Sequence, residues 1–275
     1  MLGKLWASLH EPIRFYDYRP QRVTPWLVWK WQSQFGWRDQ RLLRKLLGQV
    51  IYLSEEKVRT ALVGINAKLV AFLKNAGLGE DQIIYVSIDD AGSSSHAMLN
   101  MLRDFARLQK GEFHLLDSKN TGDIHAKTTA LGEGAIVYVD DFTGTGDQFE
   151  STHHFIAQYI VGNFAEFFLA PCVCEEAKEV LESIGVEPRY DLLHTRKQRP
   201  LLNECLLFKP EERDKLIELS NRVDGVNYLG YAFLATMVVL YINSPDSTPP
   251  LLRGSNNQFP YIGILPRTTD LPASL

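Results

Sequence analysis

The chain has 275 residues, 45% of them hydrophobic and 23% charged, which fits one large or two small globular domains and excludes a disordered or fibrous protein. Its Lys and Arg number 29 against 33 Asp and Glu, a formal charge of -4, so a uniformly basic nucleic-acid wrapper is excluded and only a local basic patch remains open. Three cysteines, Cys172, Cys174 and Cys205, are too few for a disulfide scaffold and fit a reducing, cytoplasmic setting. No apolar run reaches the ~20 residues of a membrane span, and Glu11, Pro12 and Arg14 come too early for a signal peptide.

In chain order, residues 1–45 carry nine basic and three acidic side chains, a net +6, and all five tryptophans (Trp6, Trp26, Trp29, Trp31, Trp37). Aromatic rings among cations suit nucleic-acid stacking, but the stronger expectation is packing, with Trp26, Trp29 and Trp37 anchoring a helical lid on the core and the arginines in water. Residues 38–47 read as a helix with Leu42, Leu43, Leu46 and Leu47 on one side. Ser54 is placed to cap a long amphipathic helix through Val58, Leu62, Ile65, Leu69 and Phe72 that stops at Gly77 and Gly79. Residues 1–78 are therefore expected to form a helical extension or lid, and residues 79–275 the main domain.

From residue 83 the texture changes. IIYVSI (83–88) is a short β-branched run of the kind buried on both faces of a parallel sheet. Met98, Leu99, Leu102, Phe105 and Leu108 follow at helical spacing, then FHLL (113–116) and a polar loop over 118–134. AIVYV (135–139) is a second buried strand, and FAEFFLA (164–170) a third, each followed by a helix. Strand and helix in alternation predict an α/β fold with a doubly wound, mostly parallel sheet. A helix over 211–222, a strand at VVLYI (238–242) and a proline-rich, irregular tail packed over the sheet complete the reading.

The chemistry concentrates in AIVYVDDFTGTGDQF (135–149). Open α/β sheets bind ligands outside the carboxyl ends of their strands, and here two acids stand at such an end, followed by small residues and a helix start. Backbone N–H groups and hydroxyls of Thr143–Gln148 suit a phosphate at a helix amino terminus. Asp140 and Asp141 would repel that phosphate at close range. One sugar-length away, they accept hydrogen bonds from vicinal hydroxyls instead. A sugar phosphate satisfies both ends.

This run resembles the 5-phosphoribosyl 1-pyrophosphate (PRPP) motif of the type I phosphoribosyltransferases: four apolar residues, two acids, an apolar residue and a small Thr/Gly run. The resemblance implies that Asp140 and Asp141 hold the ribose diol and that Thr143, Gly144, Thr145, Gly146, Asp147 and Gln148 surround the 5′-phosphate. Gly144 and Gln148 stand where the family carries threonine, and Asp147 adds a negative charge. SIDDAGSSSHAML (87–99) corresponds to the pyrophosphate loop, with Ala91, Gly92, Ser93 and Ser94 offering backbone N–H groups and Asp89 and Asp90 suited to Mg²⁺; the basic residue often found in that loop is missing. The segment 118–134 corresponds to the mobile catalytic loop, and Lys119 and Lys127 are its candidates for neutralising pyrophosphate charge. A looser likeness links the whole to phosphoribosyltransferase-like proteins of bacterial conflict, or anti-phage defence, systems.

The resemblance implies transfer of ribose 5-phosphate to a nitrogen acceptor, with Mg²⁺ as cofactor. The alternative is a non-catalytic sensor of PRPP or a nucleotide. A homodimer or a protein of a defence system are the expected macromolecular partners, with no membrane and no nucleic acid. GTGDQF is a poor dinucleotide fingerprint because Phe149 replaces the third glycine, and SSSH lacks the G-x-S-x-G elbow of a serine hydrolase. Adjacent His153 and His154 do not face one another on a helix; Cys172 and Cys174 lack a second thiol pair for zinc; and Arg196, Lys197 and Arg199 read as a solvated basic loop.

Overall fold

The structure is a computed structural model that describes residues 11–88, 93–108, 113–254 and 261–271. These divide into two compact units, one running to Glu55 and resuming at His194, the other comprising Glu56–Leu193. Residues 78 and 79, where the sequence reading divides the chain, both fall inside the second unit.

In the first unit, helices α1 (Pro25–Ser33) and α2 (Gln40–Gly48) precede strand β1 (Ile51–Leu53). Thr24 caps α1 by accepting from the Leu27 N–H at 3.1 Å, and Pro25 occupies the first turn, where its missing N–H costs nothing. Leu43, Leu46 and Leu47 form the buried side of α2. The expected packing of Trp26, Trp29 and Trp37 does not occur: they are 60%, 64% and 77% exposed, while Trp31 is fully buried and donates from Nε1 to the Leu251 carbonyl at 2.8 Å. The reason is phase. The apolar stripe of α1 is Leu27, Val28 and Trp31, which turns Trp26 and Trp29 to the opposite side.

The helix α3 (Glu55–Asn75) opens with the Glu55 N–H bonded to the Asp17 carboxylate at 2.8 Å and buries Val58, Leu62, Ile65, Leu69 and Leu73. In the second unit a six-stranded sheet contains β2 (Ile83–Ser87), β3 (His114–Asp117), β4 (Glu133–Val139), β5 (Phe142–Thr143), β6 (Asn163–Cys174) and β7 (Glu187–His194). Its order is β3-β2-β4-β6-β5, all paired in parallel, with β7 also pairing β6. β2 and β4 are central, which is why their sequences are almost unbroken apolar runs. Between strands run α4 (Ser94–Phe105), α5 (Thr121–Leu131), α6 (Asp147–Ile156) and α7 (Glu175–Ser183). One face of the sheet packs Ile84, Val86, Ile136, Tyr138 and Phe168 against Ile124, Phe149, Ile156, Ala177 and Leu181. On the other, Tyr85 donates to Asn66 of α3 at 2.6 Å, and Phe72 of α3 meets Phe167 edge-on. Fully burying one such side chain contributes roughly 1.5–3 kcal/mol, so this core fixes the strand ends firmly.

Three further expectations change. The segment 118–134 is largely the helix α5, because Asn120 caps it and Ile124 and Thr128 bury one side, and β4 already begins at Glu133. The strand at VVLYI is β8 (Val238–Leu240), and it pairs in parallel with β1, in a two-stranded sheet of the first unit. Arg199 is fully buried, its guanidinium donating to the carbonyls of His194 at 2.9 Å and Leu234 at 3.3 Å. Helices α8 (Pro210–Val223) and α9 (Pro250–Arg253) complete the first unit, with Lys45 of α2 paired to Glu212 of α8 at 2.6 Å. No helix among the described residues is long and apolar enough to cross a membrane.

Candidate functional site

The carboxyl ends of β2 and β4 lie side by side, Ser87 opposite Val139 in register. One buried side chain ties them together. Ser95, in the first turn of α4, accepts from the Ile88 N–H at 2.7 Å and donates to the Val139 carbonyl at 2.7 Å. Ser118, just past β3, donates to the Ile88 carbonyl at 2.6 Å, so both backbone groups of Ile88 are held by buried hydroxyls. The chain therefore enters residues 89–92 and 140–148 from fixed points.

At the end of β4, Asp140 donates its N–H to Leu169 of β6 at 3.0 Å, and its carboxylate accepts from the Asp141 N–H at 2.8 Å. Asp141 is partly buried. Loss of water raises its carboxyl above the ordinary carboxylate range, while hydrogen bonds with Asp140, the Ser94 hydroxyl and the Phe142 backbone pull it down; the rise prevails. Ser94 and the acid pair are thus brought together from the two segments that sequence reading singled out.

Phe142 and Thr143 pair in parallel with Cys172 and Val173 of β6, so the chain passes to the far side of β6 and keeps its direction before the glycines. Gly146 caps α6 in the left-handed region, φ 89°, and a Cβ there would meet Val180 at 3.0 Å and the Ala177 Cα at 3.4 Å. Only glycine suits both demands. The Asp147 N–H donates to Thr145 Oγ1 at 3.3 Å, while the Asp147 and Gln148 side chains are exposed. Behind the loop, Glu166 accepts from the Tyr138 hydroxyl at 2.6 Å and meets His153 Nε2 at 2.9 Å, and Phe149 packs on Tyr138 and Phe168. Burial and Glu166 hold the Tyr138 hydroxyl protonated far above its usual range. His153 is thus a support for α6, and His154 lies outside on the exposed face.

Of the other expected site residues, Asp89, Asp90, Ala91 and Gly92 lie outside the described residues. Ser93 caps α4, accepting from the His96 N–H at 3.2 Å. Lys119 follows β3 at the carboxyl edge, its N–H bonded to Asp117 at 2.8 Å. Lys127 lies in the second turn of α5, about 10 Å further along the helix axis from Asn120, and α5 runs back toward the start of β4. Residues 140–148 and Ser94 belong to the segments that leave the carboxyl edge, and Lys127 lies within α5. Sequence reasoning missed Ser95 and Ser118. Ser95 was findable, since residues 95, 98, 99 and 102 have the spacing of one buried helix face.

A mostly parallel α/β sheet carrying an acid pair, a glycine turn and a helix start at its central carboxyl edge is the construction of a phosphoribosyltransferase-type protein. Residues 28–267 match the PRTase-CE family, and the chain belongs to it. No curated protein matches the chain.

Proposed function

We propose that the protein binds PRPP with Mg²⁺ at the edge formed by β2 and β4 and transfers ribose 5-phosphate to a nitrogen acceptor. The acceptor nitrogen forms a bond to C1 of the ribose as the bond from C1 to pyrophosphate breaks, and pyrophosphate leaves with the bonding electrons. The observation that carries this reading is the hydrogen bond of Asp141 with Ser94, which links the acid pair to the segment resembling the pyrophosphate loop. Asp140 and Asp141 accept from the two ribose hydroxyls, and the turn Thr143–Gln148 with the amino end of α6 receives the 5′-phosphate. Residues 91–94 receive the pyrophosphate, and Lys119, at the same edge, offsets its growing charge.

Asp89 and Asp90, which follow Ile88 in the sequence, carry the hard oxygen donors Mg²⁺ takes together with phosphate oxygens. Bound there, the ion neutralises pyrophosphate charge. The chain's own residues supply the rest: position, exclusion of water and hydrogen bonds to the sugar. A role among the phosphoribosyltransferase-like proteins of bacterial defence, in the cytoplasm and as a homodimer, accords with the sequence likeness.

A second reading, a PRPP or nucleotide sensor without turnover, is favoured by the missing basic residue in SIDDAGSSSHAML and by Gly144 and Gln148 in the phosphate loop. Incubation with PRPP, Mg²⁺ and a panel of bases, followed by assay of pyrophosphate, separates the two. Release dependent on one base supports transfer; tight binding with no release across the panel supports the sensor.

A further inference from the structure

Three tryptophans of the first unit, Trp26, Trp29 and Trp37, are exposed. Trp26 and Trp29, three residues apart, share the outer face of α1 with Lys30 and Ser33, and Trp37 stands in the turn before α2. Lys30 Nζ lies 4.7 Å from the Trp26 ring centroid and the Arg38 guanidinium 5.2 Å from that of Trp37. Between residues 22 and 45 there are six basic side chains, Arg22, Lys30, Arg38, Arg41, Arg44 and Lys45, and one acid, Asp39. Lys45 is committed to Glu212 and Arg44 to Gln32. Among the described residues Arg22, Lys30, Arg38 and Arg41 have no carboxylate partner, and Arg22, Arg38 and Arg41 are exposed.

Large flat rings left in water cost free energy, and cations without counter-charges seek anions. We infer that this face binds single-stranded nucleic acid, its bases stacking on Trp26, Trp29 and Trp37 and its phosphates meeting Arg22, Lys30, Arg38 and Arg41. Stacking on aromatic side chains beside a cationic track is how single strands are held without regard to sequence. Three features select this occupant. The outer face of α1 shows rings but no leucine, isoleucine or valine, unlike a helix that sinks aliphatic side chains into lipid. Self-association would press these four cations against their own copies. A duplex hides the faces of its bases, so flat rings favour the unpaired strand. The expected packing of these rings on a core does not occur, and the overall charge of -4 leaves a local basic patch open.

The test is fluorescence anisotropy of the full chain with a labelled oligonucleotide of about 20 nucleotides, as single strand and as duplex, over a salt series. Vesicles containing phosphatidylserine and sedimentation of the protein alone serve as parallel arms. The expected result is single-strand binding stronger than duplex binding, quenching of tryptophan fluorescence, and roughly a tenfold or greater loss of affinity in W26A/W29A. Arg38→Gln is expected to flatten the slope of log affinity against log salt by about 0.7. Unchanged circular dichroism in both variants shows the fold intact. No single-strand binding at low salt, binding indifferent to W26A/W29A, tryptophan-dependent capture by the vesicles instead, or a dimer abolished by W26A/W29A would each overturn the inference.

Discussion

Two regions of this molecule invert the usual division of polar and apolar groups, in opposite directions. At the carboxyl edge of β2 and β4, hydroxyls and a carboxyl are drawn inward: Ser95 is fully buried and bonded on both sides, and Asp141 loses enough water to hold its proton more tightly. On α1 and the turn after it, tryptophans are pushed outward, to as much as 77% exposure for Trp37. The inward case fixes backbone geometry, because a buried hydroxyl with two partners leaves the strand ends one arrangement. The outward case leaves large rings in water.

The comparison predicts unequal consequences of mutation. Ser95→Ala strands the Ile88 N–H and the Val139 carbonyl, and a buried unpaired polar group costs about 1–3 kcal/mol; a loss of about 2–4 kcal/mol in urea unfolding is expected, and a loss under about 1 would show that the clamp contributes little. Gly146→Ala follows, with about 1–2 kcal/mol from the left-handed backbone alone and more from the contact with Val180. It should weaken phosphate binding along with stability. Asp141→Asn acts the other way. Because the folded state raises this carboxyl, the stability it lends is fullest below the unfolded value and disappears as pH rises through the folded one. The asparagine variant is therefore expected to match or exceed the native protein at pH 7, by on the order of 1 kcal/mol, while losing ribose binding. Diol affinity of the native protein should correspondingly grow as pH rises out of the acid range and Asp141 ionises. Smallest of all, Trp29→Ala should change stability by less than about 0.5 kcal/mol, which keeps the two regions distinct.

Much of the fold was legible because parallel strands buried on both faces must be apolar throughout. IIYVSI and AIVYV announced β2 and β4, and the acids after AIVYV stood where an open sheet places its ligands. What failed had physical reasons. The polar text of residues 118–134 hid α5, since only Ile124 and Thr128 need face inward on a helix at the side of the sheet. Composition counted five tryptophans in a basic segment but not their phase, and phase decided that Trp31 is buried while Trp26 and Trp29 are exposed. Arg199 read as a solvated charge because a sequence does not reveal two carbonyls waiting to receive its guanidinium. The partnership of Ser95 with Val139, 44 residues apart, is equally invisible before the strands are set side by side.

The most direct test of the site is calorimetric titration of PRPP with Mg²⁺ into the native chain and into the double variant Asp140→Asn with Asp141→Asn. Hydrogen bonds to charged groups contribute about 1.5–3 kcal/mol each, so the account predicts binding by the native protein and at least about a tenfold loss in the double variant, with unfolding unchanged or shifted toward greater stability. Equal affinity in the two proteins would contradict it.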